Sequence, residues 1–232
     1  SDIVLESLKN ETKKELFRSS IAINGALNTS KNIIAWITEL KCKFELDVTI
    51  KSLNNLNNWI LSDYEIKHES GNYFKVIATE VEISNREVNK WMQPLVKPTQ
   101  EGLIAFVVKK INGLYHFLVQ AKVECGNFDV LELAPTVQCL TGNYQNSPLG
   151  SLPYLDLVLN ARPDQILLDT LQSEEGGRFY REQNRNMIVL VDDNFEEKIP
   201  QNYCWMTVSQ LHSFIVFNNY LNIQSRSLLA SI

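Results

Sequence analysis

The 232-residue chain lacks the sequence features that mark several common classes of protein. None of its four cysteines forms a CxxC pair, so neither a zinc ribbon nor a disulfide framework is indicated. Its three histidines lie far apart, which argues against a histidine-based metal site. The motifs GxGxxG, GxxxxGK[ST], HExxH and GxSxG are all missing from the sequence. The dinucleotide-binding, phosphate-loop, zinc-protease and serine-hydrolase classes therefore lack support.

Basic charge and long hydrophobic runs are also scarce. Lys and Arg number 22 against 27 Asp and Glu, which gives a net charge of −5. This balance argues against a protein that binds nucleic acid by neutralising phosphates. The longest apolar run, residues 103–108, is far too short to cross a bilayer, and the first residues lack the charged-then-apolar pattern of a signal peptide. We expect a cytoplasmic protein with reduced thiols and with no nucleic-acid or membrane partner.

The composition is that of a folded protein, with 44% hydrophobic and 21% charged residues. The first 60 residues predict helices, one of which has Ser30 as its N-cap and turns Ile33, Ile34, Ile37 and Leu40 inward. Residues 64–69 and 73–83, on either side of Ser70-Gly71-Asn72, predict a β-hairpin. Thr207 is predicted to cap a helix near the other end of the chain. Helices at both ends around a mostly antiparallel sheet predict one α+β domain.

A second hairpin is indicated by Asn112-Gly113, which joins the apolar residues 102–111 and 114–124. The turn places Val108 opposite Phe117 and, if pairing continues, Phe106 opposite Val119 and Ile104 opposite Ala121. One face of this hairpin is wholly apolar and is expected in the core. The other face carries His116, Gln120, Lys122 and Glu124, and is either solvated or lines a cleft.

Three stretches carry residues that could take part in catalysis or ligand binding. Lys122 and Glu124 lie two positions apart, and hence on one face of a strand, where a carboxylate can act as base and an ammonium can stabilise an enolate. Arg178 and Arg185, with Arg181 between them, could bind a diphosphate. Trp91 could stack on a base or a sugar. The structural alternatives are a solvated Lys–Glu pair, a charged surface turn and a core-edge tryptophan, and spacing alone favours these.

These stretches belong to a longer series of motifs, namely Trp91-x-Gln-Pro94, Gly102-Leu-Ile, Asn112-Gly-Leu-Tyr-His-Phe-Leu-Val-Gln-Ala-Lys-x-Glu-x-Gly-Asn127, Glu132-Leu-Ala-Pro-Thr-Val-Gln138, Gln172-Ser-Glu-x-Gly-Gly-Arg-Phe179 and Trp205-Met-Thr. Over residues 91–211 the sequence resembles the NDP-hexose 2,3-dehydratases of deoxysugar biosynthesis. The resemblance implies a Nudix-like fold with a mixed, mostly antiparallel sheet flanked by helices. It implies one module over residues 1–232, with a helical part at 1–60 and a core at about 64–220. No Nudix box is present, so metal-dependent pyrophosphate hydrolysis is not expected.

The same resemblance implies a hydro-lyase that removes water across C2 and C3 of a sugar such as dTDP-4-keto-6-deoxyglucose, with no cofactor and no metal. Glu124 or Glu174 becomes the candidate base or acid, Lys122 the enolate stabiliser and His116 a weaker acid candidate. The residues expected to hold the sugar are Gln120, Gln138, Asn143 and Tyr144. Those expected to hold nucleotide and diphosphate are Trp91, Arg178, Arg185 and Trp205, and Gln93 and Thr136 in the matching motifs are also counted as substrate-binding.

Enzymes of this family usually contain two homologous modules, whereas this sequence corresponds to one. A homodimer could reproduce the two-module arrangement, because isologous pairing is the commonest form of oligomer. The alternative is a non-catalytic sugar-nucleotide-binding module, or a partner subunit of a dehydratase.

Overall fold

The computed structural model describes residue 8 and residues 10–140, 152–196, 198–217 and 219–232. Its helices are α1 (Glu11–Ile21), α2 (Ser30–Lys43), α3 (Leu155–Leu159), α4 (Val208–Ile215) and α5 (Ile223–Leu229). Its strands are β1 (Trp59–Leu61), β2 (Glu65–His68), β3 (Phe74–Glu82), β4 (Lys90–Pro98), β5 (Gly102–Ile111), β6 (Leu114–Lys122), β7 (Glu132–Ala134), β8 (Val137–Leu140), β9 (Ile166–Ser173), β10 (Gln183–Leu190) and β11 (Tyr203–Thr207). Among the described residues, no helix is long and apolar enough to span a membrane.

The strands form two sheets. The smaller sheet has the order β1-β2-β3-β4, and all its neighbours are antiparallel. The larger one has the order β11-β6-β5-β10-β9, with β7 paired to β6 and β8 paired to β5. Only β5 and β10 run parallel among its described pairs. The predicted α+β class, with a mixed and mostly antiparallel sheet flanked by helices, is confirmed.

Both predicted hairpins form, but the second one is shorter than predicted. Its turn residues Asn112 and Gly113 both have positive φ, as a type I′ turn requires, and pairing runs from Ile111 and Leu114 to Val108 and Phe117. The continued pairing of Phe106 with Val119 and of Ile104 with Ala121 is wrong. Beyond Val108 the strands separate, because β8 pairs with β5 and β7 pairs with β6.

Thr136, in the connection between β7 and β8, holds the separated strands. Its hydroxyl accepts a hydrogen bond from the backbone N–H of Val107 at 2.8 Å and donates one to the carbonyl of Leu118. One side chain thus satisfies a donor on β5 and an acceptor on β6. The hydroxyl replaces the ladder bonds that would otherwise join these strands.

The core has two layers, one on each face of the larger sheet. Helices α2, α4 and α5 cover the predicted apolar face, where Phe106 and Phe117 meet edge to face at 5.4 Å. The opposite face, predicted to be solvated or to line a cleft, is largely buried against α3. The predicted helix begins after Thr29, which caps it in place of Ser30, and Ile34 is 44% exposed rather than inward. The Thr207 cap of α4 is confirmed.

Candidate active site

A cavity of about 560 Å³ opens where the smaller sheet meets the larger one. The two sheets are joined at this point by Val96 of β4, which exchanges backbone hydrogen bonds with Arg178 at 2.8 Å and with Tyr180 at 2.7 Å. Leu140, at the end of β8, reaches the cavity from the larger sheet. The cavity therefore forms from segments that are far apart in the sequence.

Aromatic side chains from β1, β2 and β3 line one wall, together with Phe179. The strand register places Trp59 opposite His68, and their rings meet edge to face at 5.5 Å. Phe74 lies 5.1 Å from Trp59 between ring centroids and remains 41% exposed. Large rings left half-exposed in a concave site offer apolar surface to a ligand.

The backbone at this wall includes two residues in the left-handed region. Asn58 has φ +64° and Tyr73 has φ +68°, and both line the cavity. This conformation is costly for a residue with a bulky side chain, and such strain is concentrated at functional sites.

The opposite wall carries Glu182, whose carboxyl is half-buried. Burial, and secondarily the nearby carboxylate of Glu174, raise the pKa of Glu182 above its ordinary value, and a hydrogen bond from Asn184 opposes this rise. Asn184 also donates through Nδ2 to Glu174 Oε1 at 2.7 Å. The buried amide therefore binds the carboxylate of Glu174, whose backbone N–H donates to the carbonyl of Glu182 at 3.0 Å.

Gly102 fixes the position of that amide. Its backbone N–H donates to Asn184 Oδ1 at 3.1 Å, which leaves Nδ2 free to donate to Glu174. A Cβ on Gly102 would lie only 2.2 Å from Asn184 Oδ1. The lack of a side chain at Gly102 is thus a condition for this arrangement.

The predicted residues Lys122, Glu124 and Gln138 also come together. Lys122 Nζ lies 3.1 Å from Glu124 Oε1 and donates to the carbonyl of Gln138 at 3.3 Å, and Gln138 Nε2 donates to Glu124 Oε1 at 3.2 Å. Gln138 Oε1 accepts from Asn222 at 2.7 Å. Gln120 is half-buried in the same strand as Lys122.

The amides that bind Glu124 and Glu174 belong to Gln138 and Asn184, and both project from one face of the larger sheet. Gln138 of β8 and Asn186 of β10 lie on either side of Ile104 in β5. Two residues earlier in β5, Leu140 and Asn184 lie on either side of Gly102. The amides of Gln138 and Asn184 therefore project from the same face, on strands about 10 Å apart. Asn186 Oδ1 is buried on this face with no hydrogen-bond partner among the described residues.

Of the predicted nucleotide-binding residues, Trp91 lies near Gln93 and the turn that carries Arg178, whereas Arg185 pairs with a different segment. Trp91 Nε1 donates to Gln93 Oε1 at 2.6 Å, and Gln93 donates to the carbonyl of Gly177 at 2.8 Å. Arg178 is on the exposed turn beside Gly177, where its guanidinium lies 3.6 Å from Glu175. Arg185 forms two hydrogen bonds with Asp169, at 2.9 and 2.6 Å.

Three further candidates are buried in the core. Thr136 holds β5 and β6 apart, as described above. His116 is 0% exposed, with Nε2 accepting from the backbone of Leu27 at 3.0 Å and Nδ1 lying 3.0 Å from the carbonyl of Leu114. Trp205 is 1% exposed and packs on the α3 side of the sheet. Asn143 and Tyr144 lie outside the described residues.

Sequence reasoning missed the aromatic wall, Glu182 and Asn184. Glu182 lies in the arginine-rich stretch that was considered only for its guanidinium groups, and Asn184 directly precedes the candidate residue Arg185. The pattern that could have revealed them is Gly102, since a glycine that opens a buried strand often permits a close approach by another chain segment.

Comparison with known proteins gives matches over most of this chain. The model of the NDP-hexose 2,3-dehydratase family matches residues 30–232. A dTDP-4-dehydro-6-deoxy-alpha-D-glucopyranose 2,3-dehydratase of Saccharopolyspora spinosa is 41% identical over 224 residues, which are 94% of this chain and 46% of that protein. The enzyme of the same name from Streptomyces violaceoruber is 42% identical over 213 residues, 91% of this chain and 48% of that protein. The chain spans about half the length of these relatives.

Among solved structures, an ADP compounds hydrolase is 12% identical, with a TM-score of 0.39 over 68% of this chain and 83% of its own. A C. elegans Ap4A hydrolase is also 12% identical, with a TM-score of 0.31 over 59% of this chain and 94% of its own. TM-scores this low do not support an inference about this chain from either structure. The Nudix-like fold therefore still rests on the family resemblance. The family match over residues 30–232, by contrast, shows that the chain belongs to the NDP-hexose 2,3-dehydratase family.

Proposed function

We propose that the chain is a sugar-nucleotide 2,3-dehydratase module that eliminates water across C2 and C3 of dTDP-4-keto-6-deoxyglucose. The observation that carries this proposal is Glu182, which lines the aromatic cavity and lies beside Glu174, whose carboxylate is held by Asn184. The names of the relatives support the substrate and the reaction. Those relatives are about twice as long as this chain, so the activity of this chain by itself is our proposal.

The reaction needs a base and an acid. The C4 keto group acidifies the C3 proton, a base removes it, and the resulting enolate expels the C2 hydroxyl, which leaves as water once an acid has protonated it. The enol left at C3 then takes up a proton at C2 and becomes a 3,4-diketo sugar. One water is lost, and no oxidant or reductant is consumed.

The carboxylate pair meets both needs. Burial and the neighbouring carboxylate of Glu174 raise the pKa of Glu182, which keeps a larger fraction of this group protonated than an ordinary glutamate would have and suits the acid. We assign Glu174 as the base. The apolar rings of the cavity that Glu182 lines would bury the C–H face of the hexose and exclude water.

Lys122 and Glu124 form the other candidate pair for the same chemistry. Lys122 is the last residue of β6, and its ion pair with Glu124 leaves 24% and 38% of the two side chains exposed. Gln138 links them to the same face of the sheet. We propose for them a role in binding the sugar, with Glu124 as base if the first assignment fails.

The test is incubation with dTDP-4-keto-6-deoxyglucose in D₂O, with a 3-ketoreductase to trap product, followed by NMR at C2 and C3. We expect loss of the C2 hydroxyl with the unaltered chain. Glu174→Gln should abolish both exchange at C3 and elimination, whereas Glu182→Gln should retain exchange and lose elimination. Glu175→Gln, an exposed neighbour, is the matched control and should behave as the unaltered chain does.

Other outcomes would change the assignment. If Glu124→Gln alone stops exchange, the base is Glu124. If the unaltered chain binds the sugar nucleotide but neither exchanges the C3 proton nor eliminates water, the chain is a non-catalytic module or a partner subunit. Its length, about half that of the relatives, is consistent with this outcome. We further propose a cytoplasmic homodimer, since two copies supply the length of one relative.

A further inference from the structure

Three lysines stand side by side across the smaller sheet. The register places Lys67 of β2 opposite Lys75 of β3, and Lys75 opposite Lys97 of β4. Residues directly opposite one another project from the same face and lie about 5 Å apart, so the outer two ammonium-bearing positions are about 10 Å apart. We call Lys67, Lys75 and Lys97 the lysine row.

Without a bound anion the lysine row destabilises the smaller sheet, because like charges directly opposite each other destabilise a strand pair. Glu65 relieves part of the repulsion, since its carboxylate contacts both Lys67 and Lys75. Lys97 forms no ion pair among the described residues, and its ammonium lies 5.8 Å from the centroid of the Tyr180 ring. The arrangement therefore has spare positive charge in a chain whose net charge is −5.

The lysine row borders its own cavity of about 540 Å³, which also contains Ser70, Gly71 and Glu69. His68 and Pro98 line both this cavity and the aromatic one, so the two cavities meet at the end of the smaller sheet. By strand alternation the lysines project from the face opposite to Phe74 and Pro98. In a nucleotide sugar the diphosphate is attached to C1 of the hexose. If the hexose lies in the aromatic cavity, its diphosphate would pass the shared edge at His68 and Pro98 to reach the lysine row.

The arginines predicted for this task are less suitable. Arg185 is already bound by both carboxylate oxygens of Asp169. Arg178 is on an exposed turn, with 76% of its side chain in solvent and Glu175 as its partner. Neither lines the two contiguous cavities.

We propose that the lysine row is the diphosphate subsite of the nucleotide sugar, with Lys75 at its centre and Lys97 as its unpaired cation. This inference rests on the proposed function for the identity of the ligand. The carboxylate of Glu69 at the rim opposes anion binding, so its removal should strengthen binding.

The experiment is calorimetric titration of the full chain with dTDP and with inorganic pyrophosphate at several salt concentrations. Hydrogen bonds to charged groups contribute about 1.5–3 kcal/mol, so Lys75→Gln and Lys97→Gln should each weaken dTDP binding roughly 10- to 150-fold. Both should also weaken pyrophosphate binding and make its salt dependence shallower, because fewer charges are neutralised. Glu69→Gln should tighten both ligands.

Lys90→Gln is the matched control, since Lys90 begins the same strand as Lys97 and is paired with Glu80. Lys97→Gln breaks no ion pair among the described contacts, so we expect this variant to keep its fold. Unchanged affinity in Lys75→Gln and Lys97→Gln, with loss in Arg178→Gln, would overturn the subsite even if the enzyme is an active dehydratase. Lysine-dependent binding without turnover would support the subsite and refute the dehydratase proposal. Absence of dTDP and pyrophosphate binding by the unaltered chain would refute the subsite.

Discussion

Replacement of Gly102 by alanine tests whether the amide of Asn184 organises the active site. The added Cβ would lie 2.2 Å from Asn184 Oδ1 and 3.1 Å from its Cγ, so the Asn184 side chain must move. That movement breaks the hydrogen bond from the Gly102 N–H and the one to Glu174. The backbone at Gly102 is extended, a conformation that alanine adopts freely, so the whole effect arises from the displaced amide.

The expected cost has two parts. Inserting a carbon into a packed site costs about 1–3 kcal/mol, and a buried polar group left without its partner costs about 1–3 kcal/mol. We expect Gly102→Ala to lower the free energy of unfolding by roughly 2–6 kcal/mol in urea titration. Turnover should fall by about 10²- to 10⁴-fold, the usual contribution of a positioned acid or base.

A double variant separates stability from catalysis. Gly102→Ala with Asn184→Ser removes the atoms that clash, so part of the lost stability should return, while turnover stays low because Glu174 has lost its amide donor. Gly126→Ala is the control, since a Cβ there meets nothing within 4 Å. Unaltered stability and turnover in Gly102→Ala would refute the reasoning, and so would a double variant that regains full activity.

Three other predictions follow from single contacts. Burial raises the pKa of Glu182 above its unfolded value, so ionisation of this carboxyl lowers the stability of the fold as the pH rises from about 4.5. Glu182→Gln should therefore increase the free energy of unfolding at pH 7, and this gain should vanish below about pH 4.5. An equal gain at all pH values would contradict the prediction. Thr136→Val should lower the free energy of unfolding by about 1–3 kcal/mol in urea titration, because two buried backbone groups lose their partner. An unchanged affinity of this variant for dTDP would show that Thr136 has a structural role and does not bind substrate. Sedimentation equilibrium should give twice the 26.6 kDa mass of the chain, and a monomer at micromolar concentration would contradict the homodimer.

Local features were predictable because they depend on neighbours in the chain. Asn112-Gly113 fixes a type I′ turn, since both residues tolerate positive φ, and the structure has that turn. Thr207 caps α4 through a hydrogen bond to a residue three positions away. The alternating apolar residues of β5 and β6 identified the core face for the same reason.

The chemical type of a residue did not indicate its burial or its partners. His116 and Thr136 have side chains suited to catalysis or binding, yet both lie at 0% exposure with core hydrogen bonds. Ile34 was predicted inward on helical spacing but faces solvent, because α2 packs on the sheet along a narrower stripe.

The amino-acid sequence alone determined the family resemblance, the Asn112-Gly113 turn, the Thr207 helix cap and the apolar face of the central hairpin. Tertiary structure alone decided where that hairpin divides, which carboxylate Asn184 binds and which lysines stand in a row. Asn184, held by Gly102, binds Glu174, and Lys67, Lys75 and Lys97 meet through strand register. Such contacts depend on the packing of distant segments, and a one-residue change in register would move every lysine in a strand to the other face.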